Sequence, residues 1–311
     1  MASTSSTRQT IQQFGRNLRL EVGNATEGIA IMNLRVTFDI RKSNDKHPNK
    51  STIGIYNLTE SHRHKLAEKK WTYCKLYVGY GLTDISLRLI YEGDITRVND
   101  QRAGMDILTV LECGDGRKAY NEGYLVKTLA KGYTWEDVID ECLNSLPGVE
   151  EGYIAIDATK QFPRGRALVG QTHRILDTVA KATNSDWSIQ DGRLNFIPQA
   201  FATDVDIPLL SAKSGMIDEP KGTDKGLQVN CNLNPAMAIG GLVSVESIFT
   251  QYNGQYKIDT VRFAGDTDPK GQWVAELALL GGDFKKKERR KRKKRTPNYV
   301  TTGQTQDPLE Q

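Results

Sequence analysis

Residues 226–280 read GLQVNCNLNPAMAIGGLVSVESIFTQYNGQYKIDTVRFAGDTDPKGQWVAELALL, and this stretch decides the fold. Its apolar residues occur in short runs, the first at 227–233, that are typical of β-strands. Pro235 ends the first run because proline has a fixed φ and no N–H to donate to a sheet. A second run follows at 242–249, and a third begins at Tyr256. The polar residues that would have to converge in a hydrolase or transferase site are largely missing from this stretch.

Turn signals separate these runs. Asn-Pro follows the first run, a glycine pair opens the second, Asn-Gly precedes the third, and Gly-Asp-Thr leads to a last strand at Trp273. Asn-Gly is a strong signal for a tight hairpin, since both of its central positions can take a positive φ. The residues predicted to shape these turns are Asn234, Pro235, Gly240, Asn253, Gly254, Gly265 and Asp266.

The first third of the chain also predicts strands. Residues 34–41 alternate between apolar and polar side chains, as expected of a strand with one face in water. Similar short runs lie at 18–22, 53–58, 74–78, 87–91 and 105–113, with a short polar helix at 60–69. Six short strands with regular turns predict an antiparallel barrel or sandwich.

Between these two β regions the apolar period changes from two to 3.6. Thr134 and Asp137 have the spacing of a capping box that opens a helix, and a second helix is predicted at 172–183. A two-residue turn at Asp191-Gly192 then joins two strands in which Trp187 and Ile189 face Leu194 and Phe196. This middle region therefore predicts a small α/β domain.

The order of these features resembles the baseplate or tail hub proteins of contractile-tail bacteriophages, a family related to the late-control tail proteins. The resemblance covers roughly residues 18–280 and includes IYNL at 55–58, EGDI at 92–95 and the W-x-I, DG, L-x-F hairpin. It implies a mainly β fold in which two tube-like antiparallel β-barrels flank a small α/β domain. The expected boundaries are a flexible N-terminus at 1–15, a first barrel at 16–116, the α/β domain at 117–200, a second barrel at 201–283 and a basic disordered tail at 284–311.

The resemblance also implies a mechanical function. Hub proteins of this family are homotrimers that join a central spike to a sixfold tail tube, because each subunit contributes two similar barrels. This chain is then expected to be a structural virion protein of the tail baseplate, assembled in the host cytoplasm and active in host cell entry. Its expected partners are the spike, the tail tube and other baseplate proteins, with DNA or a tape-measure protein in the lumen.

The net charge of +4 conceals a strong asymmetry. Without residues 285–295, the 42 basic and 38 acidic side chains of the chain fall to 32 and 37. So dense a run of like charge is predicted to be unfolded in isolation. It is predicted to contact DNA, an anionic surface or an acidic partner protein. The alternative is a solvated tail without a partner. The residues predicted to contact an anionic partner are Lys285, Lys286, Lys287, Arg289, Arg290, Lys291, Arg292, Lys293, Lys294 and Arg295.

No catalytic, cofactor or metal site is predicted. Gly114-Asp115-Gly116 and Ala119 match part of a dinucleotide loop, but Asn121-Glu122-Gly123 follows where its helix should run. His62 and His64 are two positions apart and point to different faces of a helix. The four cysteines lack CxxC spacing and are expected to be reduced. No apolar run is long enough for a membrane span. The alternative function is a nucleic-acid-binding β-barrel protein with a basic tail, although the body of the chain is acidic.

Overall fold

A computed structural model describes residues 15–81, 86–156 and 160–290. The predicted flexible N-terminus lies outside the described residues except for Gly15, as do Lys291, Arg292, Lys293, Lys294 and Arg295 of the basic run. The first described elements are β1 (Arg16–Gly23), β2 (Gly28–Ile31), β3 (Val36–Ser43), β4 (Lys50–Tyr56), α1 (Glu60–Ala67), β5 (Tyr73–Tyr80), β6 (Arg88–Ala103) and β7 (Asp106–Gly114).

The middle of the chain forms an α/β unit, as predicted. Its elements are α2 (Arg117–Glu122), β8 (Tyr124–Leu129), α3 (Trp135–Asn144), β9 (Glu150–Ile154), β10 (Arg166–Gln171), α4 (Thr172–Thr183), β11 (Ser185–Gln190) and β12 (Arg193–Pro198). The N–H of Thr134 donates to the Asp137 carboxylate at 2.7 Å, and the Asp137 N–H donates to the Thr134 hydroxyl at 3.4 Å, which confirms the capping box. The Asp191-Gly192 turn is also confirmed, since φ is 53° at Asp191 and 70° at Gly192.

The remaining elements are β13 (Phe201–Thr203), β14 (Leu209–Leu210), β15 (Lys221–Thr223), β16 (Gly226–Asn232), β17 (Leu242–Val245), β18 (Gly254–Asp266), β19 (Trp273–Leu280) and β20 (Lys285–Lys287). The fold is therefore mainly β, as the sequence predicts. Its largest component is a 13-stranded sheet.

The two predicted sets of strands are parts of this one sheet. Their order is β15-β16-β19-β18-β3-β4-β7-β6-β5-β1-β2, with β14 and β17 attached beside β18. The join is the antiparallel pair β3–β18, which runs from Ser43 opposite Thr260 to Thr37 opposite Asp266. This order is an open path among the described strands, so closure of each set into a tube stays a prediction.

One hydrophobic core lies under the sheet and includes side chains from both sets of strands. Phe38 and Ile40 of β3 are buried together with Val261 and Phe263 of β18. A second core belongs to the α/β unit and contains Leu176 of α4 together with apolar residues of its strands. The polar faces of β3 and β18 are linked by ion pairs, since the Arg262 guanidinium lies 2.7 Å from the Asp39 carboxylate.

The prediction was wrong in detail between β17 and β18. The second run was expected to continue to Phe249 and to turn at Asn253-Gly254, but β17 ends at Val245, which pairs directly with Gly254. Residues 246–253 form a longer loop, in which the N–H of Ser247 donates to Asn253 Oδ1 at 2.7 Å. Asn253 has an ordinary φ of −74°, so only Gly254, with a φ of 150°, needs glycine.

Candidate functional site

Gly265 and Asp266 were predicted to shape a turn, but they are the last two residues of strand β18 and lie at the join between the two sets of strands. Gly265 pairs with Phe38 of β3 on one side and with Trp273 of β19 on the other. The two aromatic rings meet edge to face with centroids 5.4 Å apart. A Cβ at position 265 would lie 2.2 Å from Phe38 Cζ, so a larger residue does not fit. The glycine is therefore required by close packing across three strands.

Asp266 connects the same join electrostatically. Arg35 donates to both of its carboxylate oxygens, from Nε at 3.1 Å and from Nη2 at 2.7 Å, and the Asp268 N–H donates to Oδ1 at 2.8 Å. Burial acts to raise the pKa of Asp266, but these hydrogen bonds outweigh it and the pKa lies below its usual value. Arg16 donates to the carbonyl oxygen of Asp266 at 3.1 Å. Asp266, at the end of β18, is thus linked to Arg16 at the start of β1 and to Arg35, which directly precedes β3.

The other predicted turn residues shape separate turns. Asn234 Oδ1 accepts from the N–H of Ala236 at 3.0 Å, a local turn that includes Pro235. Gly240 has a φ of 77°, and its N–H donates to the carbonyl of Ile258 at 2.9 Å. A Cβ there would lie 2.4 Å from Ile197 Cδ1, which belongs to the α/β unit. Gly240 therefore also allows close approach of two parts of the chain.

The basic segment 285–290 is bound to the rest of the molecule, which corrects the expectation that the tail is unfolded from residue 284. Its residues 285–287 form β20, which pairs in parallel with β13. The ammonium of Lys286 lies 2.5 Å from the carbonyl oxygen of Val205, and that of Lys287 lies 4.9 Å from the centre of the Phe201 ring. The hydroxyl of Tyr153 donates to the carbonyl oxygen of Lys287 and accepts from the N–H of Asp204.

Arg290 is the most buried part of this segment. Its side chain is 7% exposed, its Nη2 lies 2.5 Å from Asp140 Oδ1, and its Nε lies 3.3 Å from Glu151 Oε1. Its backbone N–H donates to the carbonyl oxygen of Ile154 at 2.7 Å. Burial alone would lower the pKa of Arg290, but the two carboxylates raise it above its usual value. A run of like charge is ordered here because the α/β unit supplies the opposite charges.

Sequence reasoning missed these carboxylates. Asp140 lies on α3 and Glu151 on β9, at positions more than a hundred residues before the segment that they bind. The adjacent acidic residues Glu150 and Glu151 indicated a cation-binding position only weakly, since such a pair needs either cations or water nearby. Nothing in their spacing identifies residue 290 as the partner.

A second polar cluster joins the α/β unit to the sheet. The ammonium of Lys42 lies 2.6 Å from the Asp191 carboxylate, and the carboxylate of Asp115 accepts from the N–H groups of Asp191 at 2.6 Å and Gly192 at 3.0 Å. Burial, followed by the negative charge of Asp191, raises the pKa of Asp115 to about 7. The Gly114-Asp115-Gly116 turn therefore anchors a hairpin.

Residues 15–81, 86–156 and 160–290 contain no group of three or more His, Cys, Asp or Glu side chains arranged to hold a metal ion. Within the same ranges, no helix has the length and apolar character needed to cross a membrane.

The fold is that of phage tail proteins. A tail protein from Neisseria meningitidis MC58 superimposes with a TM-score of 0.61 at 11% identity, covering 88% of this chain and 100% of the other. The 43 kDa tail protein of prophage MuSo2 from Shewanella oneidensis gives a TM-score of 0.58 at 9% identity, covering 86% and 98%. The E. coli c3393 protein, a type VI secretion component described as similar to the T4 tail proteins gp27 and gp5, gives 0.55 at 8% identity, covering 86% and 78%.

These similarities are structural only. The sequence matches no protein-family profile and no curated protein. At such low identity the superpositions show the shared fold, and the resemblance to tail hub proteins inferred from sequence motifs agrees with it.

Proposed function

We propose that this chain is a structural subunit of a bacteriophage tail, located in the virion at the tail baseplate. The observation that carries the proposal is the match of fold over 88% and 86% of this chain to two tail proteins, one of which is encoded by a prophage. The similarity to a type VI secretion component supports the same class, since that protein is itself described as similar to tail proteins.

We further propose that three copies form a hub that joins a spike to the sixfold tail tube around the DNA channel. The support is the single sheet that carries two sets of strands, since three such subunits would present six sets around one axis. The β3–β18 pair and the Arg35–Asp266 contact hold the two sets together within one subunit.

We also propose that the chain has no catalytic activity of its own. Two of its buried ionisable groups have structural partners: Asp115 accepts from a hairpin turn, and Arg290 contacts two carboxylates. Incubation of the purified chain with peptidoglycan should release no soluble fragments. Release that is lost on changing a single carboxylate would contradict this part of the proposal.

The experiment that tests the hub assignment is a map of the tail particle that contains this chain. Three copies around the tail axis, between the spike and the tube, are expected. Two or six copies in a ring, or a position away from the axis, would contradict the hub role while leaving a tail role open. Absence of the chain from purified tails would contradict both.

A further inference from the structure

Lys42 and Asp191 form a buried contact between a primary amine and a carboxyl group. The Lys42 ammonium lies 2.6 Å from Oδ1 and 2.6 Å from Oδ2 of Asp191, and the two side chains are 8% and 23% exposed. The residues are 149 positions apart, since Lys42 lies on β3 and Asp191 in the turn between β11 and β12. Holding an amine against a carboxyl makes their reaction intramolecular, which favours amide formation as well as ion pairing.

The neighbours of this pair hold both groups in place. The side-chain amide of Gln190 donates to the carbonyl oxygen of Ser43 at 2.7 Å and accepts from Asn49 Nδ2 at 2.9 Å. Gln190 and Asn49 are themselves buried. The residues next to Lys42 and Asp191 are thus bonded to each other, which fixes the amine and the carboxyl in one geometry.

The backbone nitrogen of Gly192 is the competing nucleophile. In an Asp-Gly dipeptide this nitrogen can attack the aspartate carboxyl and form a succinimide with loss of water. Here the Gly192 N–H donates to Asp115 Oδ1 at 3.0 Å, and the Asp191 N–H donates to Asp115 Oδ2 at 2.6 Å. These bonds hold the turn, so the Lys42 amine is the nucleophile in contact with the Asp191 carboxyl.

We propose that Lys42 and Asp191 condense into an intramolecular amide bond between Nζ and Cγ after the chain has folded. Lys42 transfers one proton to the Asp191 carboxylate, and rotation about the Cβ–Cγ bond turns a face of the carboxyl towards the amine. The amine lone pair forms the N–C bond, the C–O bond breaks, and the hydroxyl leaves with a second proton from Nζ as water. The reaction needs no oxidant or cofactor. It replaces two buried charges by a neutral amide, which removes the desolvation cost of the ion pair.

The bond joins β3 of the large sheet covalently to the hairpin of the α/β unit. The ion-paired chain is the form that precedes the reaction. A cross-link between such distant residues also restricts the unfolded chain, so it stabilises the fold. The reaction uses only contacts within one chain and does not depend on the proposed tail function.

Incubation of the purified full chain at neutral pH, with samples taken over several days, tests the proposal. Intact-mass spectrometry under denaturing conditions should show a growing species that is lighter by one water. Tryptic digestion should then give a branched peptide that joins residues 42–46 to residues 182–193, because trypsin does not cleave after an acylated lysine. Fragmentation of that peptide should place the bond between Lys42 and Asp191.

Two controls separate this bond from other causes of water loss. The ion pair Lys46–Asp177, with 2.9 Å between its charged groups and a lysine that is 41% exposed, lies in the same chain and should give no branched peptide. Lys42→Arg keeps a positive charge but lacks the primary amine. It should also give no branched peptide, whereas succinimide formation at Asp191-Gly192 would persist in it.

A native chain that keeps its full mass throughout the incubation would overturn the proposal. Water loss without a branched peptide would also overturn it, because it would show succinimide formation alone. A branched peptide that joins Lys46 to Asp177 in equal yield would do the same, since the reaction would then not depend on the buried geometry of Lys42 and Asp191.

Discussion

The ammonium of Lys42 lies 2.6 Å from the carboxylate of Asp191, and the lysine side chain is only 8% exposed. This contact joins β3 of the large sheet to the hairpin of the α/β unit. Asp191→Asn should preserve the turn, since asparagine accepts the positive φ that position 191 requires. It should nevertheless lower the free energy of unfolding by about 2–4 kcal/mol, because the buried ammonium loses its partner. Urea unfolding at neutral pH measures the change.

The double variant Lys42→Met/Asp191→Asn is the control for that prediction. It should be more stable than Asp191→Asn alone, since no unpaired charge is left buried. Equal stability of the two variants would contradict the assigned role of the ion pair.

Asp115 makes stability depend on pH near neutrality. Its pKa is raised to about 7 in the folded chain from an ordinary value of 3.8. Because the folded state holds this proton more tightly, the contribution of Asp115 to stability is largest below pH 4 and is lost as the pH rises to 7 and above. Asp115→Asn removes this titration. The native chain should therefore lose stability relative to the variant between pH 4 and pH 8, by on the order of 4 kcal/mol.

Denaturant unfolding of both proteins at several pH values measures that difference. Parallel stability curves for the native chain and Asp115→Asn over the same range would show that Asp115 titrates normally.

Gly240 and Gly132 form a matched pair for separating backbone strain from steric overlap. Both have a positive φ, 77° and 89°, but a Cβ at position 240 would lie 2.4 Å from Ile197 Cδ1, whereas nothing lies within 4 Å of one at position 132. Gly132→Ala should cost about 1 kcal/mol of unfolding free energy through strain alone. Gly240→Ala should cost roughly 1–3 kcal/mol more, because the methyl group displaces Ile197. Equal losses in urea unfolding would place Gly240 away from the α/β unit.

Glu151 should control release of the basic segment. Its side chain is 9% exposed and lies 3.3 Å from Arg290 Nε, whereas that of the neighbouring Glu150 is 78% exposed. Glu151→Gln should speed tryptic cleavage after Arg289 and Arg290 by about tenfold or more, because it lowers the free energy needed to release the basic segment locally. Glu150→Gln is the control and should cleave like the native chain. Mass spectrometry of the early fragments identifies the sites, and equal rates for both variants would contradict the bound position of the segment.

Binding of the basic run to DNA should depend on residues after 290. The side chains of Lys286, Lys287, Arg289 and Arg290 contact other parts of the chain in the structure, so we expect Lys291, Arg292, Lys293, Lys294 and Arg295 to supply most anion contact. A chain ending at residue 290 should bind DNA about as weakly as one ending at residue 283. The full chain should bind more tightly at low salt, with a salt slope of about 0.9 per phosphate contacted. Equal binding by all three chains would favour a solvated tail.

Local signals in the sequence predicted local structure well. The helix predicted at 172–183 is α4 (Thr172–Thr183), and Asp191-Gly192 forms the tight turn that its residues favour. These features depend on residues within a few positions of one another. The Asn253-Gly254 turn failed because Ser247 and Asn253 bond across a longer loop, and the dipeptide signal cannot report such a bond.

The features that organise the molecule as a whole depend on distant residues. Arg35 and Asp266, which meet at the join of the sheet, are 231 positions apart. Arg290 and Asp140 are 150 positions apart, so the sequence predicted a basic tail without its acidic partners. Alternating apolar residues show that a strand has a buried face, but they do not show which strand lies beside it.

The β3–β18 pair has a consequence for synthesis of the chain on the ribosome. β3 is made early, but the strand that covers one of its edges is made only after residue 254. Until then β3 and its neighbours expose backbone groups that another nascent chain could pair with. A shortened product that ends before β18 should therefore be prone to aggregate, and completion of the sheet should be slow, because loop closure over such a distance has a large entropic cost.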